Sequence, residues 1–186
     1  MIIRKAVKSD SPYIAPLLLL AMEDIIYKFI KKEDYAAAKE FLLYFIESKN
    51  NQYSYQNCFV AEEENIIAGA VNVYNGADLI LLRNPIIEYV RKNYNPEFDP
   101  ELESKAGEYY IDSLGVNPNY QGKGIGSKIL KFLIDEYVLK NKETLGLLVE
   151  EENPLAKNLY LKIGFKVVGE KTLVGKKLEH LQVSPE

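Results

Sequence analysis

Residues 108 to 140 read as strand, turn, glycine-rich loop and helix in unbroken succession. The segment EYYIDSLGV (108 to 116) is rich in β-branched and aromatic residues. Asn117-Pro118-Asn119-Tyr120 is a turn, and Gln121-Gly122-Lys123-Gly124-Ile125-Gly126 follows it. From 125 to 140 the apolar residues Ile125, Ile129, Phe132, Leu133 and Tyr137 fall on one helical face. A glycine loop that opens a helix leaves backbone N–H groups free at the positive helix end, where an anion can approach closely. Two familiar phosphate-binding patterns fail here. Counted from Gly122, a P-loop needs glycine at 127, where Ser127 stands, and no Gly-Lys-Ser/Thr follows. The dinucleotide fingerprint also needs its third glycine at 127, and this loop lies late in the chain.

The remaining elements are predicted around this segment. Residues 2 to 7 suit a short strand. Ser9-Asp10-Ser11-Pro12 opens a helix with a loose first turn, regular from near Pro16 to about Ile30. A second helix spans about 34 to 47, with Ala37, Phe41, Tyr44 and Phe45 at helical spacing. Strands at 58 to 62 and 67 to 74 flank a polar hairpin connection, Glu63-Glu64-Asn65. Asn84-Pro85 predicts a cap for a helix at 86 to 94, with Glu88 and Lys92 as a surface pair. Residues 95 to 107 are expected to be an exposed loop. A strand at 144 to 150, a helix capped by Asn153-Pro154 and closed by Gly164, and strands at 165 to 169 and 172 to 181 complete the chain. The expectation is one domain over 1 to 186 with a helix-containing insertion at about 75 to 107.

Composition narrows the function classes. Of 186 residues, 47% are hydrophobic and 27% charged, enough for a real core. The net charge of −4 argues against nucleic acid as the main partner. A single cysteine, Cys58, and a single histidine, His180, exclude a disulfide framework and a Cys-rich or two-histidine metal site, so no metal is expected. The longest apolar run, 17 to 22, is far short of a bilayer span, and no signal-peptide cleavage site follows it. The expected location is cytoplasmic, with no membrane partner.

The pattern Q-x-x-G-x-G (Gln121, Gly124, Gly126), followed by NPLAKNLYLKIGF at 153 to 165, resembles the GNAT acetyltransferase family. The resemblance covers 58 to 74 and 108 to 170 well, and the first 50 residues only in their order of elements. It implies an α/β fold of the α+β mixed kind. In it a mixed, mostly antiparallel sheet, flanked by helices, splays into a V between the strands at 109 to 116 and 144 to 149. Acetyl-CoA is the implied co-substrate, lying in the gap. Its pantetheine would pair with the backbone of Leu114, Gly115 and Val116. Its pyrophosphate would sit on the loop of Gln121, Gly122, Lys123, Gly124, Ile125, Gly126 and Ser127, with Asn153 and Tyr160 completing the cofactor contacts. The chain holds 20 Lys but only 3 Arg, at 4, 83 and 91. No arginine can therefore fork onto phosphate from this loop. Backbone N–H groups of 122 to 127, Lys123 as a point charge and the Ser127 hydroxyl are left to carry the pyrophosphate.

The same resemblance implies the chemistry. Tyr160 matches the acid position, where a phenol keeps its proton at neutral pH and gives it to the departing thiolate. Asp112 is the candidate base. Strand alternation would put it on the face of Tyr110 and Leu114, although a bulge would change that parity. Glu108, Tyr110 and Glu150 are runners-up. Glu151 and Glu152 suit a solvated turn, His180 a surface or packing role, and Cys58 a buried structural one. Between 75 and 108 stand seven acids and four bases, which suits a cationic acceptor. The expected function is acetyl transfer to a primary amine of a small molecule or peptide by direct attack. The alternative is a non-catalytic acetyl-CoA-binding sensor or partner module. Tyr160 and a workable base separate the two, and a homodimer stays open.

Overall fold

A computed structural model describes residues 1 to 173 and 175 to 185. Seven strands form one sheet: β1 (Ile2–Lys5), β2 (Cys58–Glu63), β3 (Ile66–Asn75), β4 (Tyr109–Val116), β5 (Leu145–Glu150), β6 (Lys166–Leu173) and β7 (Lys176–Val183). Their spatial order is β1-β2-β3-β4-β5-β7-β6. Every neighbouring pair is antiparallel except β4–β5, which is parallel. Helices α1 (Ser11–Ile30), α2 (Tyr35–Glu47) and α3 (Leu79–Asn93) belong to the amino-terminal half. Helix α4 (Ile125–Leu133) runs on into a wider π-type winding, Ile134–Lys140, and α5 is Pro154–Ile163. Among the described residues no helix is long and apolar enough to cross a membrane.

The helices cover both faces of the sheet. Ile14, Leu18, Ile26, Phe41 and Leu42 from α1 and α2 pack on Cys58, Val60 and Ala70. On the other face Ile125, Ile129 and Leu133 of α4 pack with Val71, Val73, Ile111, Leu147 and Phe165. The central strand β3 therefore buries both faces over most of its length, which accounts for its near-continuous apolar reading, whereas β1 and β6 bury no residue.

The structure revises several expected boundaries. Pro16 lies inside α1, where it costs only the bond to the Pro12 carbonyl in the first turn. The irregularity falls at Met22 instead (φ −138°, ψ 20°). Helix α3 starts seven residues before the expected 86. It follows directly on a short 3-10 turn, Gly76–Asp78, which Asn75 caps: its Oδ1 accepts from the Ala77 N–H at 3.0 Å. Pro85 is then internal. It frees the carbonyl of Leu81, a residue that is 71% exposed. Residues 95 to 107 are irregular, as expected, but not simply exposed. Phe98 and Ser104 are buried, and the Phe98 ring meets Phe29 edge-on at 4.7 Å, so this loop folds back over α1. The final hairpin pairs Lys166–Leu173 with Lys176–Val183, longer and later than expected.

A register shift matters most. Asn72 faces Ser113, but Val73 faces Ile111, so Asp112 is an extra residue in β4, a bulge. Strict alternation fails there. Asp112 shares a face with Tyr110 as expected, whereas Leu114 lies on the α4 face.

Two glycines are close-approach positions. A Cβ on Gly115 would stand 1.9 Å from the Leu17 carbonyl oxygen, so α1 rests directly on β4. A Cβ on Gly146 would stand 1.8 Å from Glu108 Oε2. That gap lets the buried Glu108 carboxylate reach across β5 to β7. There Oε2 accepts from His180 Nε2 and Gln182 Nε2, both at 2.8 Å. Gly115→Ala should destabilise the fold by about 3 kcal/mol, the upper end of overpacking costs, because its obstacle is backbone. Urea unfolding that leaves the midpoint within error of wild type would contradict this contact.

Candidate active site

The parallel pairing of β4 with β5 is short. It runs Tyr109–Leu145, Tyr110–Gly146 and Ile111–Leu147, and then the strands part. The β5-side edge of Asp112 to Val116 is left without a ladder partner, so its backbone groups, apart from the Val116 carbonyl held by the Gln121 side chain, are open to a ligand. Between the diverging strands lies a cleft of about 680 Å³. β4 and β5 line its apex. Asn153 and, from α5, Ala156, Leu159 and Tyr160 line one side, and Leu20, Ala21, Met22, Asp24 and Ile25 of α1, with Glu101 and Glu103, the other.

The glycine loop stands at the mouth of the cleft. Gly122 and Gly124 have φ of 77° and 75°, a left-handed backbone that side chains with a Cβ resist. Gly126 is different. It lies in the first helical turn, where a Cβ would only approach Leu114 and Val116 at 3.8 Å, so its use is space rather than conformation. The first N–H of α4 to bond inside the helix is that of Lys128, to the Gly124 carbonyl at 3.0 Å. The N–H groups just before it precede the intrahelical ladder. Ile125 is 2% exposed and contributes its side chain to the core, so only its backbone faces the loop. Lys123 is exposed, with Nζ 4.6 Å from the Tyr120 ring centroid. Ser127 is half-buried. Gln121 is tied back, its Nε2 donating to the Val116 carbonyl at 3.2 Å. Asn153 caps α5, with Oδ1 accepting from the Ala156 N–H at 3.1 Å. Gly164, at φ 118°, ends that helix.

Tyr160 projects from α5 into the cleft, its ring edge-on to Phe165 at 5.9 Å. Burial pushes its phenol pKa up, so it holds its proton firmly at neutral pH.

Asp112 sits on the opposite wall in a buried polar cluster. Its Oδ1 accepts from Gln52 Nε2 at 2.9 Å and from the Tyr74 hydroxyl at 3.2 Å. Its Oδ2 is buried without a hydrogen bond. Glu103, from the 95 to 107 loop, accepts from the same two donors at 2.9 Å and 3.3 Å, and is ion-paired with Arg83 of α3. Burial, and then the Glu103 charge, push the Asp112 carboxyl up to about 7 against a pull downward from Arg83. A carboxylate of that basicity can accept a proton at neutral pH.

Of the runners-up, Tyr110 and Glu150 also line the cleft, and Glu108 does not. Tyr110 is buried and its pKa lies well above the usual phenol range through desolvation, which makes it a poor base. Glu150 is half-exposed and paired with Lys176 at 2.7 Å. Glu108 is held by His180 and Gln182, so His180 has a buried partner rather than a surface role. Cys58 is buried at the start of β2, and desolvation raises its thiol to about 12, which makes it inert as a nucleophile. Gln52, Tyr74, Arg83 and Glu103 were not singled out as site residues from the sequence. Arg83 and Glu103 were visible only as one of three arginines and one of seven acids.

A sheet split beside a glycine loop that opens a helix is the architecture of acyltransferases that draw their acyl group from acetyl-CoA. The Acetyltransferase (GNAT) family model matches residues 22 to 165, and the chain belongs to that family, whose members use acetyl-CoA. Over 84 residues it is 36% identical to a spermine/spermidine N(1)-acetyltransferase of Bacillus subtilis (strain 168), covering 45% of this chain and 54% of that protein. The chain thus spans about half the length of the curated relatives it matches. The crystal structure of an N-acetyltransferase from Staphylococcus aureus Mu50 superposes with a TM-score of 0.86 at 26% identity, over 98% of this chain and 100% of that one. A second acetyltransferase structure superposes with a TM-score of 0.83 at 30% identity and covers all of both chains.

Proposed function

We propose that this protein transfers an acetyl group from acetyl-CoA to a cationic primary amine, with Asp112 as general base and Tyr160 as general acid. The observation that carries this is Asp112 itself: a buried carboxylate of raised basicity, one oxygen unpartnered, lining the same cleft as a proton-bearing phenol. The free edge of Leu114, Gly115 and Val116 and the open N–H groups of 122 to 127 fit the pantetheine and pyrophosphate of acetyl-CoA. Bound there, acetyl-CoA supplies an activated thioester. Asp112 takes a proton from the ammonium group. The freed nitrogen forms the C–N bond as the C–S bond breaks, Tyr160 gives its proton to the thiolate, and the new amide nitrogen sheds its second proton to solvent. Solvent then restores both residues.

The lining favours a cation. Asp24, Glu101, Glu103, Asp112 and Glu150 face Lys28, Arg83 and Lys176, and two of those three cations are already paired with Glu103 and Glu150. A polyamine, the acceptor named for the Bacillus subtilis relative, fits that balance, and a peptide amino terminus remains the competing acceptor.

Acetyl-CoA at ~100 times its dissociation constant should stabilise the fold by about 2.7 kcal/mol, while NAD and ATP do far less. Gly124→Val, which puts a β-branched side chain at φ 75°, should abolish that gain. CoA release is then measured against spermidine, simple amines and amino-terminal peptides. Release with spermidine supports the reading. Stabilisation without release for any acceptor would identify a non-catalytic acetyl-CoA-binding module instead, and a larger thermal shift with NAD would overturn the cofactor assignment.

A further inference from the structure

Within the catalytic reading above, we propose that Glu103, ion-paired to Arg83, is a positioning residue that directs the amine's proton onto Asp112. The two carboxylates share donors. Gln52 Nε2 lies 2.9 Å from both Glu103 Oε1 and Asp112 Oδ1. The Tyr74 hydroxyl lies 3.3 Å and 3.2 Å from the same two oxygens, and its single proton serves one at a time.

Arg83 breaks the symmetry of this pair. Its Nε donates to Gln52 Oε1 at 2.9 Å. Arginine has no acceptor, so the Gln52 carbonyl must face it, and the Gln52 amide is thereby aimed at the carboxylates. A second Arg83 nitrogen donates to the Glu101 carbonyl at 2.8 Å, and the third is paired with Glu103. The guanidinium is therefore committed to Glu103 and its loop, while Asp112 Oδ2 has no partner. Two like charges this close resist joint ionisation, so one proton is readily taken up. With Arg83 compensating Glu103, that proton goes to Asp112, the member that lines β4 beside the free strand edge.

Among the described residues, the titratable groups around the pair do not reverse this order. Tyr53 precedes β2, Cys58 begins it, Tyr74 is on β3 and Tyr110 on β4, and burial raises the pKa of all four. Asp24 and Lys28 of α1 face the cleft with opposite charges, and Glu101 adds a further acid on the loop. Among the described residues, Arg83 is the one buried cation in the cluster.

The test follows Asp112 by ¹³C carboxyl NMR in the ligand-free protein, beside kcat/KM pH profiles. In Glu103→Gln the Asp112 titration and the acid limb should both move down by about one pH unit or more, as expected on losing a like charge at this range. In Arg83→Gln they should move up. A brace that only held the loop would lower activity without moving either. An Asp112 titration unmoved in Glu103→Gln overturns the proposal. Should that variant fail to fold, Arg83→Gln decides, and an unmoved or downward shift is the overturning result. The base assignment fails separately: it falls if the acid limb of Asp112→Asn keeps the wild-type midpoint instead of moving up toward the ionisation of the amine itself.

Discussion

Asp112→Asn is expected to lower kcat/KM at pH 7 by roughly 10²–10³, within the usual range for loss of a general base. The loss should be deepest at low pH, where few amine molecules are already neutral, and should shrink as pH rises and solvent removes the proton. An equal loss at every pH would mean that Asp112 orients the amine without deprotonating it. The same variant carries a stability signature of opposite sign. Folded Asp112 ionises at about 7, against an ordinary 3.8. Between those values the folded state holds a proton that the unfolded chain has released. Wild-type stability therefore falls as pH rises through this window, and above it Asp112 destabilises in full. Asparagine has nothing to ionise. Its stability advantage over wild type should grow from pH 4 to pH 8, reaching on the order of 2–4 kcal/mol at 1.36 kcal/mol per pH unit. Paired denaturation curves at the two pH values check it. A variant that gains nothing on going from pH 4 to pH 8 would show that Asp112 is ionised throughout.

Tyr160→Phe keeps the ring against Phe165 and removes only the donor. It should lower kcat by roughly 10², with acetyl-CoA affinity almost unchanged, because the lost interaction develops only as the thiolate forms. High pH should not rescue it. A thioester with a more acidic thiol should, since a better leaving group needs less help. Equal sensitivity of wild type and variant to leaving-group acidity would remove Tyr160 from the acid role.

What was legible in the sequence was local. The glycine loop, the Asn153 cap and the Gly164 stop depend on residues within a few positions of one another, and all three hold. Helix α3 was misplaced because Asn84-Pro85 copies a cap, while the helix grows out of a short 3-10 turn that Asn75 caps at the end of β3. Asp112 was found, but its face relative to Leu114 was not, because a bulge is a property of two paired strands rather than of one. The cluster around Asp112 was the least legible part. Gln52, Tyr74, Arg83 and Glu103 are 20 to 60 residues apart from their partners there, and no spacing rule spans such a distance.

The Glu108 contact lies at the apex of the V, where β4 and β5 last pair. One buried carboxylate is anchored on the near half-sheet, and both of its donors lie on β7 of the far half. Gly146 is the window through which they meet. This is a rivet: the two jaws of the sheet are fastened at their fulcrum by side chains as well as by the strand ladder. The gape between them belongs to the fold and is not created by whatever enters it. A ligand that slides into a fixed jaw forfeits little affinity to reshaping its host. Adaptation is left to the separate parts that border the jaw, α1 with its break at Met22 and the 95 to 107 loop, so selectivity for the acceptor can change there while the grip on the donor stays constant.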